Sequence, residues 1–319
     1  MLLKEWGEFG LIDRVRSLFD DLAAGAPAGT EGIGDDCAVI PAGDDTAWVV
    51  TTDMLVEGVH FLREAIPARD LGRKSLAVNL SDVAAMGAEP VGSFLSVALP
   101  PATTTEWMTG FIEGYKALSA EFGVPLLGGD TTSSLRDVAV SVTAIGRAPA
   151  DRIKRRSAAQ PYDVIFVTGP LGDSAEGLAD VLAGHADTPA AHTHHNPRPL
   201  VREGAWLGAQ CAVHAMMDLS DGLASDLQHI LRASGLRAFI DTDAIPTRTS
   251  IERAATGGED YQLLLTAAPD RAGTLADAFA RQFGTPLYPI GETAPGPPGI
   301  AWLRSGIPFT PDWHGYRHF

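Results

Sequence analysis

Hydrophobic and polar positions alternate in two ways along the first half of the chain. Over residues 138–145 the alternation has a period of two, which predicts a half-buried strand. Over residues 74–86 the apolar residues keep a helical spacing, while Ser75, Asn79 and Asp82 form a polar stripe on the opposite face. Further helices are predicted at 12–22 and 105–122, and further strands near Cys37, at 47–52 and at 92–99.

The second half repeats the mixture of strands and helices. Strands are predicted at 163–168, 212–217 and 262–266, and helices at 174–183, 222–233 and 274–283. Residues 185–199 are rich in His, Pro and Ala and predict a loop, and a Pro/Gly-rich tail follows the last helix. The charged run at 151–156 indicates a linker, so the prediction is two α/β domains, at 1–149 and 150–319.

Composition excludes several classes of protein. The formal net charge of −16 repels a nucleic-acid backbone, so DNA or RNA binding is not expected. No stretch of eighteen apolar residues and no leader after Met1 are apparent, which predicts a soluble protein without a membrane role. The two cysteines, Cys37 and Cys211, are too few for a disulfide scaffold and indicate the cytoplasm.

Acidic residues recur beside glycines at the ends of the predicted elements. These segments are 34–36, 51–53, 128–130, 218–222 and 257–260, together with Asp82 on the polar stripe. Glycine lets the backbone approach a ligand closely, and carboxylate or threonine oxygens suit Mg²⁺, which bridges to phosphate. Each site alone would more often be a turn or a helix cap, but their number favours convergence on one magnesium site.

The chain has no P-loop motif, so phosphate charge must be met by other means. Magnesium is the first means, and the predicted helix start at 220–222 and the glycine turn at 169–172 are two more. Arg147 is a candidate cation for phosphate, although a solvated surface arginine fits the same position nearly as well. The histidines His192, His194 and His195 are predicted to be solvated rather than zinc ligands, because no spaced Cys or acidic partner accompanies them.

The acidic segments resemble, in order and spacing, the motif series of thiamine-monophosphate kinases. The resemblance is carried by residues 32–38, 51–61, 77–87, 127–132, 218–223 and 257–261 and by the aromatic tail 312–319, so it extends from Gly7 to the end. It implies the two-domain α/β (α+β) fold of aminoimidazole ribonucleotide synthetase, selenide water dikinase and a hydrogenase maturation factor. In that fold the N-terminal sheets pair in a homodimer and a nucleotide lies in the cleft between the domains.

The resemblance also implies roles for individual residues. Several Mg²⁺ ions would be held by Asp36, Thr51, Thr52, Asp53, Asp82, Asp130, Asp218 and Asp221. ATP would be contacted by Gly129, Asp130, Arg147 and Ser220, and thiamine monophosphate by His60, Glu259 and Trp313. Asp53, Asp130 and Arg147 would be the catalytic group. From position alone, His60 would more often be structural, and only the motif favours a substrate role.

The implied reaction is direct transfer of the ATP γ-phosphoryl group to the phosphate of thiamine monophosphate. The acceptor oxygen is already anionic near neutral pH, so positioning and charge neutralisation would suffice. The alternatives are another ATP-using enzyme of the same superfamily and a nucleotide- or metal-binding module without turnover. The absence of an early reactive cysteine and of a C-terminal cysteine argues against the selenide and hydrogenase enzymes.

Overall fold

The computed structural model describes residues 5–23 and 25–316, and in the first half of the chain they form a mixed sheet. Its strands are β1 (Ala38–Pro41), β2 (Thr46–Val56), β3 (Glu89–Leu99), β4 (Leu126–Ser133) and β5 (Ala139–Pro149). They lie in the order β1-β2-β5-β3-β4, and all neighbours are antiparallel except β3 and β4. Along β5 every second residue is buried, as the predicted period of two requires.

Helices pack on the buried face of this sheet. They are α2 (Ala68–Ala85) and α3 (Thr105–Phe122), whereas α1 (Gly7–Ala23), which precedes β1 in the chain, is mostly exposed. The predicted bounds of α3 are confirmed, because Thr104 caps its first turn and Gly123 ends it in the left-handed conformation. At the α2–α3 contact a side chain on Gly72 would lie 2.0 Å from the Phe111 carbonyl oxygen. This close approach fixes α2 and the polar residues that it carries.

The second half forms a separate mixed sheet with helices on both faces. Its strands are β6 (Val164–Val167), β7 (Val213–Asp218), β8 (Leu236–Asp241), β9 (Leu263–Ala267), β10 (Tyr288–Pro295), β11 (Gly299–Arg304) and β12 (Ile307–Phe309), in the order β12-β11-β8-β10-β6-β9-β7. Its helices are α4 (Asp173–Leu182), α5 (Pro189–His195), α6 (Val201–Gly208), α7 (Leu223–Ser234), α8 (Ile251–Thr256) and α9 (Ala272–Phe283). Val167 and Phe166, neighbours on β6, belong to cores on opposite faces. Because both faces of the second sheet are buried, the sequences of its central strands are continuous apolar runs.

The two halves share a buried contact through α2. Ala84 and Ala85 of α2 lie in the same core as Phe166 and Met216 of the second sheet. A side chain on Gly204 of α6 would lie 2.3 Å from the Ala84 carbonyl oxygen. The two sheets fall on either side of residue 150, while the division into domains at 1–149 and 150–319 stays a prediction.

The predicted loop at 185–199 is wrong in its centre, where α5 forms. Thr188 caps this helix by accepting a hydrogen bond from the Ala191 N–H at 3.0 Å, and Pro189 occupies its first turn. His194 and His195 are buried and only His192 is exposed, so the prediction of three solvated histidines is wrong for two of them. The composition of this segment therefore did not indicate a short helix that buries His194 and His195.

The predicted irregular tail is also wrong, because it contains β10, β11 and β12. Proline and glycine normally weaken a strand, which is why the pattern predicted none. Gly291 is required here for close strand packing, since a side chain on it would lie 2.1 Å from the Phe239 carbonyl oxygen. Strands β4 and β8 and helix α8 were likewise not predicted. Residues 317–319 of the proposed aromatic tail lie outside the described residues.

No helix within the described ranges combines the length and the apolar character needed to span a bilayer.

Candidate active site: a carboxylate cluster at the contact of the two halves

Three aspartates from distant parts of the sequence meet where the halves join. Asp36 precedes β1, Asp82 lies in the last turns of α2, and Asp218 ends β7. One oxygen of each lies within 4.8 Å of the others. Thr51 donates a hydrogen bond to Asp82 at 2.5 Å and Ser81 donates one to Asp218 at 2.5 Å. The cluster therefore comes from a loop, a helix and a strand that only the tertiary fold brings together.

The cluster is strongly electronegative. Burial raises the pKa of Asp218 to about 8, and the charge of Asp36 adds to the effect. Burial likewise raises the pKa of Asp53 to about 6, with Asp36 and Asp221 contributing. Burial and the charges of Asp53 and Asp218 hold the pKa of Asp82 well above its ordinary value. Like charges held this close favour protonation unless a cation lies among them.

The donor set fits a divalent cation with a preference for oxygen. Oδ2 of Asp36 is buried and has no hydrogen-bond partner among the described residues, so one ligand atom is left available. The other oxygen of Asp36 accepts from Arg156 at 2.6 Å. Carboxylate and hydroxyl oxygens without sulfur or imidazole are typical of Mg²⁺ sites. Arg156 was predicted only as part of a linker, and nothing in its sequence context indicates the contact with Asp36.

A cavity of about 780 Å³ extends from this cluster between the halves. Eight of the predicted site residues line it: Thr52, Asp53, His60, Asp82, Asp218, Ser220, Asp221 and Glu259. Asp36 belongs to the carboxylate cluster and Thr51 is hydrogen-bonded to it through Asp82, but neither lines the cavity. His60 is oriented by the Val56 N–H, which donates to its Nδ1 at 3.0 Å. The structure thus brings together most of the residues that the motifs singled out.

Two of the predicted motifs are packed against each other at the wall of the cavity. The Glu259 N–H donates to the Ser220 carbonyl at 2.7 Å, and the Tyr261 N–H donates to the Leu219 carbonyl at 2.9 Å. Glu259 and Tyr261 both have positive φ, at 62° and 49°. Non-glycine residues in this conformation cost free energy and concentrate at functional sites. The strained loop fixes the Glu259 side chain relative to the 218–222 segment.

Gly129 and Asp130 are not brought to this cavity within one chain. In the sheet register, Asp53 of β2 is followed across the strands by Val142, Leu95 and Gly129. Three strand spacings of about 4.8 Å separate Gly129 from Asp53 by about 14 Å. All residues of β4 are exposed, including Asp130.

Arg147 also lies away from the cavity. Its guanidinium forms an ion pair with Asp44 at 2.5 Å, donates to the Thr46 hydroxyl at 2.9 Å and lies over the Trp48 ring at 4.9 Å. These contacts match the surface arginine that the sequence left open. A role for Arg147 in binding ATP stays a prediction.

Trp313 packs into the core of the second half. Its ring contacts Trp302 edge-on at 5.0 Å and Phe309 at 5.7 Å. His314, Gly315 and Tyr316, the residues that follow it, line the cavity. Trp313 therefore anchors the segment 314–316, which reaches the cavity. Contact of Trp313 itself with a substrate stays a prediction.

The two backbone features expected to meet phosphate are already hydrogen-bonded. The Asp221 and Gly222 N–H groups at the start of α7 donate to the Asp226 carboxylate at 3.1 and 3.0 Å. In the glycine turn, the Gly172 N–H donates to Asp260 at 2.7 Å. Side chains of the same protein therefore already engage these three N–H groups, and phosphate binding at the two features stays a prediction.

Sequence reasoning missed Lys74 and His194, which line the cavity. Lys74 lies four and eight residues before Val78 and Asp82, and all three line the cavity from one face of α2. This spacing is the signal that could have identified Lys74. The helical register of His194 could not be read from a segment predicted to be a loop.

We expect His194 to lower acid stability. Burial, and then the charge of Lys74, lowers the pKa of His194 to about 4 from an ordinary 6.5. The unfolded chain therefore takes up a proton below pH 6.5 that the folded protein accepts only near pH 4, so stability falls across this window. Across the whole window this lowers the free energy of unfolding by about 3 kcal/mol. Urea unfolding at pH 7.5 and pH 4.5 should show a smaller loss for His194→Asn than for the unchanged protein. If the free energy of unfolding falls equally in His194→Asn and in the unchanged protein, the acid sensitivity does not come from His194.

Comparisons with known proteins agree with this geometry. Residues 34–148 match the AIR synthase related protein N-terminal domain and residues 160–303 match the corresponding C-terminal domain. The thiamine-monophosphate kinase of Salmonella typhimurium is 40% identical over 98% of both chains. These matches confirm the predicted fold class and the predicted resemblance.

Solved structures extend the comparison. One described as "AaThiL complexed with AMPPCP and TMP" superposes with a TM-score of 0.85 and 30% identity, covering 100% of this chain and 99% of that one. The thiamine-monophosphate kinase of Stenotrophomonas maltophilia gives a TM-score of 0.75 and 36% identity, covering 93% and 96%. Both likenesses extend over nearly the whole of this chain.

Proposed function

Because the chain belongs to the thiamine-monophosphate kinase family of AIR synthase related proteins, we infer that it is an enzyme that phosphorylates thiamine monophosphate with ATP. The products are thiamine diphosphate and ADP. The observation that carries this conclusion is the full-length likeness to a relative solved with AMPPCP and TMP together. The cavity between the halves, lined by eight of the residues that the motifs singled out, supports it.

In this proposal the carboxylate cluster holds Mg²⁺. Its ligands would be Asp36, Thr51, Thr52, Asp53, Asp82, Asp218 and Asp221, with Asp130 added from β4. When bound, the ions would neutralise phosphate charge beside an acidic protein. The support is the buried Oδ2 of Asp36 without a partner and the raised pKa values of Asp53 and Asp218.

The protein's own groups bind and orient the two substrates. Ser220 lies at the cavity and would contact ATP together with Gly129, Asp130 and Arg147. His60 and Glu259 line the cavity and would face thiamine monophosphate, with Trp313 next to the 314–316 segment. The acceptor is an anionic phosphate oxygen, so the chain needs no general base, and Asp53, Asp130 and Arg147 act through charge and position.

A homodimer is part of the proposal. Strand β4 is an edge whose residues are all exposed, and Leu126 and Leu127 are 51% and 55% accessible. An unprotected edge with apolar side chains is typical of a surface that pairs with another chain. Gly129 and Asp130 lie on this edge, so their contribution to ATP binding would be made beside the dimer interface. A cytoplasmic location is proposed from the two free cysteines.

We expect ADP release to depend on thiamine monophosphate. Direct transfer requires both substrates in the cavity together, so initial-rate lines should intersect, and a γ-phosphate made chiral with oxygen isotopes should arrive inverted. ADP formation without thiamine monophosphate, or with another acceptor of this superfamily, would favour a different enzyme. Absence of turnover with intact ATP binding would favour a module without catalysis. Retention of configuration would indicate a covalent phosphoenzyme.

A further inference from the structure

Lys74 is a buried lysine that lines the cavity about two helical turns before Asp82 of the carboxylate cluster. Its side chain is 1% exposed, and its ammonium contacts both oxygens of Glu259, at 3.0 and 3.1 Å, and the His194 carbonyl oxygen at 3.2 Å. An ammonium has three N–H donors, so these contacts satisfy it. Burying such a charge is costly without a partner carboxylate. Lys74 and Glu259 therefore depend on each other.

His194 provides a second contact to the same carboxylate. Its Nδ1 lies 3.2 Å from Oε2 of Glu259 and 2.9 Å from the Ser174 hydroxyl. Burial keeps the ring neutral near pH 7, because it lowers the pKa of His194 to about 4. The hydrogen bond of Nδ1 is to the Ser174 hydroxyl, and it holds the ring in contact with the Glu259 carboxylate. His194 thus contributes a neutral polar contact rather than a charge.

These contacts fix Glu259 from three elements. Lys74 approaches from α2, His194 from α5, and the backbone of Glu259 is tied to the carbonyl of Ser220. Although burial opposes it, the charge of Lys74 and its hydrogen bond to the carboxylate hold the pKa of Glu259 below its ordinary value. The side chain is 24% exposed and lines the cavity. A carboxylate held in this way presents a fixed negative charge to whatever enters.

The cavity follows one face of α2, from Lys74 and Glu259 to the carboxylate cluster. Lys74, Val78 and Asp82 all line it. Eight residues of helix span about 12 Å, so the Glu259 that Lys74 contacts and the carboxylate cluster that contains Asp82 are separated by about the length of an elongated ligand. A phosphate that reacts at the cluster would direct its organic part toward Glu259. The organic part of thiamine monophosphate carries a permanent cation and amino N–H donors, both of which a carboxylate attracts.

We propose that Lys74 and His194 are positioning residues that hold Glu259 ionised and aimed at the thiamine end of the substrate. This inference rests on the proposed function. The competing interpretation is an ion pair that only joins the two halves. A buried ion pair is by itself a weak source of stability, and a purely structural pair has no need to face a cavity.

The test compares steady-state kinetics for Lys74→Met, Glu259→Gln and the double variant. Lys74→Met should raise the KM for thiamine monophosphate about 10- to 100-fold and leave the KM for ATP within about 2-fold. If Lys74 acts through Glu259, the double variant should have the same KM as Glu259→Gln alone. Thiamine without its phosphate, tested as a competitive inhibitor, should bind more weakly to each variant whose KM for thiamine monophosphate rises.

Lys154→Met is the matched control. Lys154 is also buried, but its ammonium donates to the backbone carbonyls of Gln210 and Val213 and it does not line the cavity. This variant should lose stability without a change in either KM. If Lys74→Met behaves like Lys154→Met, or raises both KM values equally, the positioning role is wrong.

A pair of His194 variants decides the question if Lys74→Met does not fold. His194→Asn keeps a polar side chain near the position of Nδ1 and should retain the KM for thiamine monophosphate, whereas His194→Ala should raise it. Equal KM values for these two variants and the unchanged protein would overturn the inference. Turnover of thiamine monophosphate by the unchanged protein tests the proposed function separately, so failure of one is distinguishable from failure of the other.

Discussion

Replacing Asp53 by asparagine should lower kcat at least about a thousandfold while making the metal-free protein more stable. Asp53 lines the cavity beside the carboxylate cluster, and its replacement deletes one charged ligand of the proposed magnesium site. Its pKa is raised to about 6, mainly by burial, so above pH 6 the folded protein bears the cost of an ionised carboxylate that the unfolded chain does not. The gain in stability should be about 1 to 3 kcal/mol at pH 8 and vanish below pH 4.

The measurements are coupled ADP release and thermal unfolding with and without Mg²⁺. Asp45→Asn is the matched control, because Asp45 is an exposed carboxylate in the β1–β2 turn and its replacement removes the same charge. That control should keep both turnover and the increase in Tm on adding Mg²⁺. Near-normal turnover in Asp53→Asn at ordinary Mg²⁺ concentrations would remove Asp53 from the site.

Removing divalent cations should weaken ATP binding at least about 100-fold. Among the described residues that line the cavity, Lys74 is the sole lysine or arginine, and Glu259 already engages it. The N–H groups at the start of α7 are engaged by Asp226. With a formal net charge of −16, and with Arg156 already engaged by Asp36, the protein has little else near the cavity to offset a triphosphate.

Titration calorimetry with AMPPCP, in excess chelator and in excess Mg²⁺, measures this dependence. Restoring Mg²⁺ should recover the affinity, and Asp218→Asn should reduce the recovery because Asp218 belongs to the carboxylate cluster. Equal affinity in chelator and in Mg²⁺ would mean that the protein meets the phosphate charge with its own side chains, and the assignment of the aspartates as metal ligands would fail.

Elements with a strong local signal were predictable. Helix α3 has its cap at Thr104 and its stop at Gly123, and β5 alternates strictly between buried and less buried positions. Elements whose signal is tertiary were not. Strand β10 contains Pro289, Gly291 and Pro295 and is held by β6 and β8 on its two sides. Helix α5 has fewer than two full turns beyond its cap, too few for a periodic pattern.

The candidate site likewise has features that the sequence predicted and features that only tertiary packing set. The sequence by itself determined where the acidic and glycine-containing segments lie and predicted that their chemistry suits magnesium and phosphate, because these properties belong to residue types at short spacing. Only the tertiary structure decided that Asp36, Asp82 and Asp218 meet, that Asp130 lies apart on an exposed edge, and that Lys74 and His194 hold Glu259. Periodicity fixes which face of a helix a side chain occupies, but the partner of that face is set by packing between elements far apart in the chain.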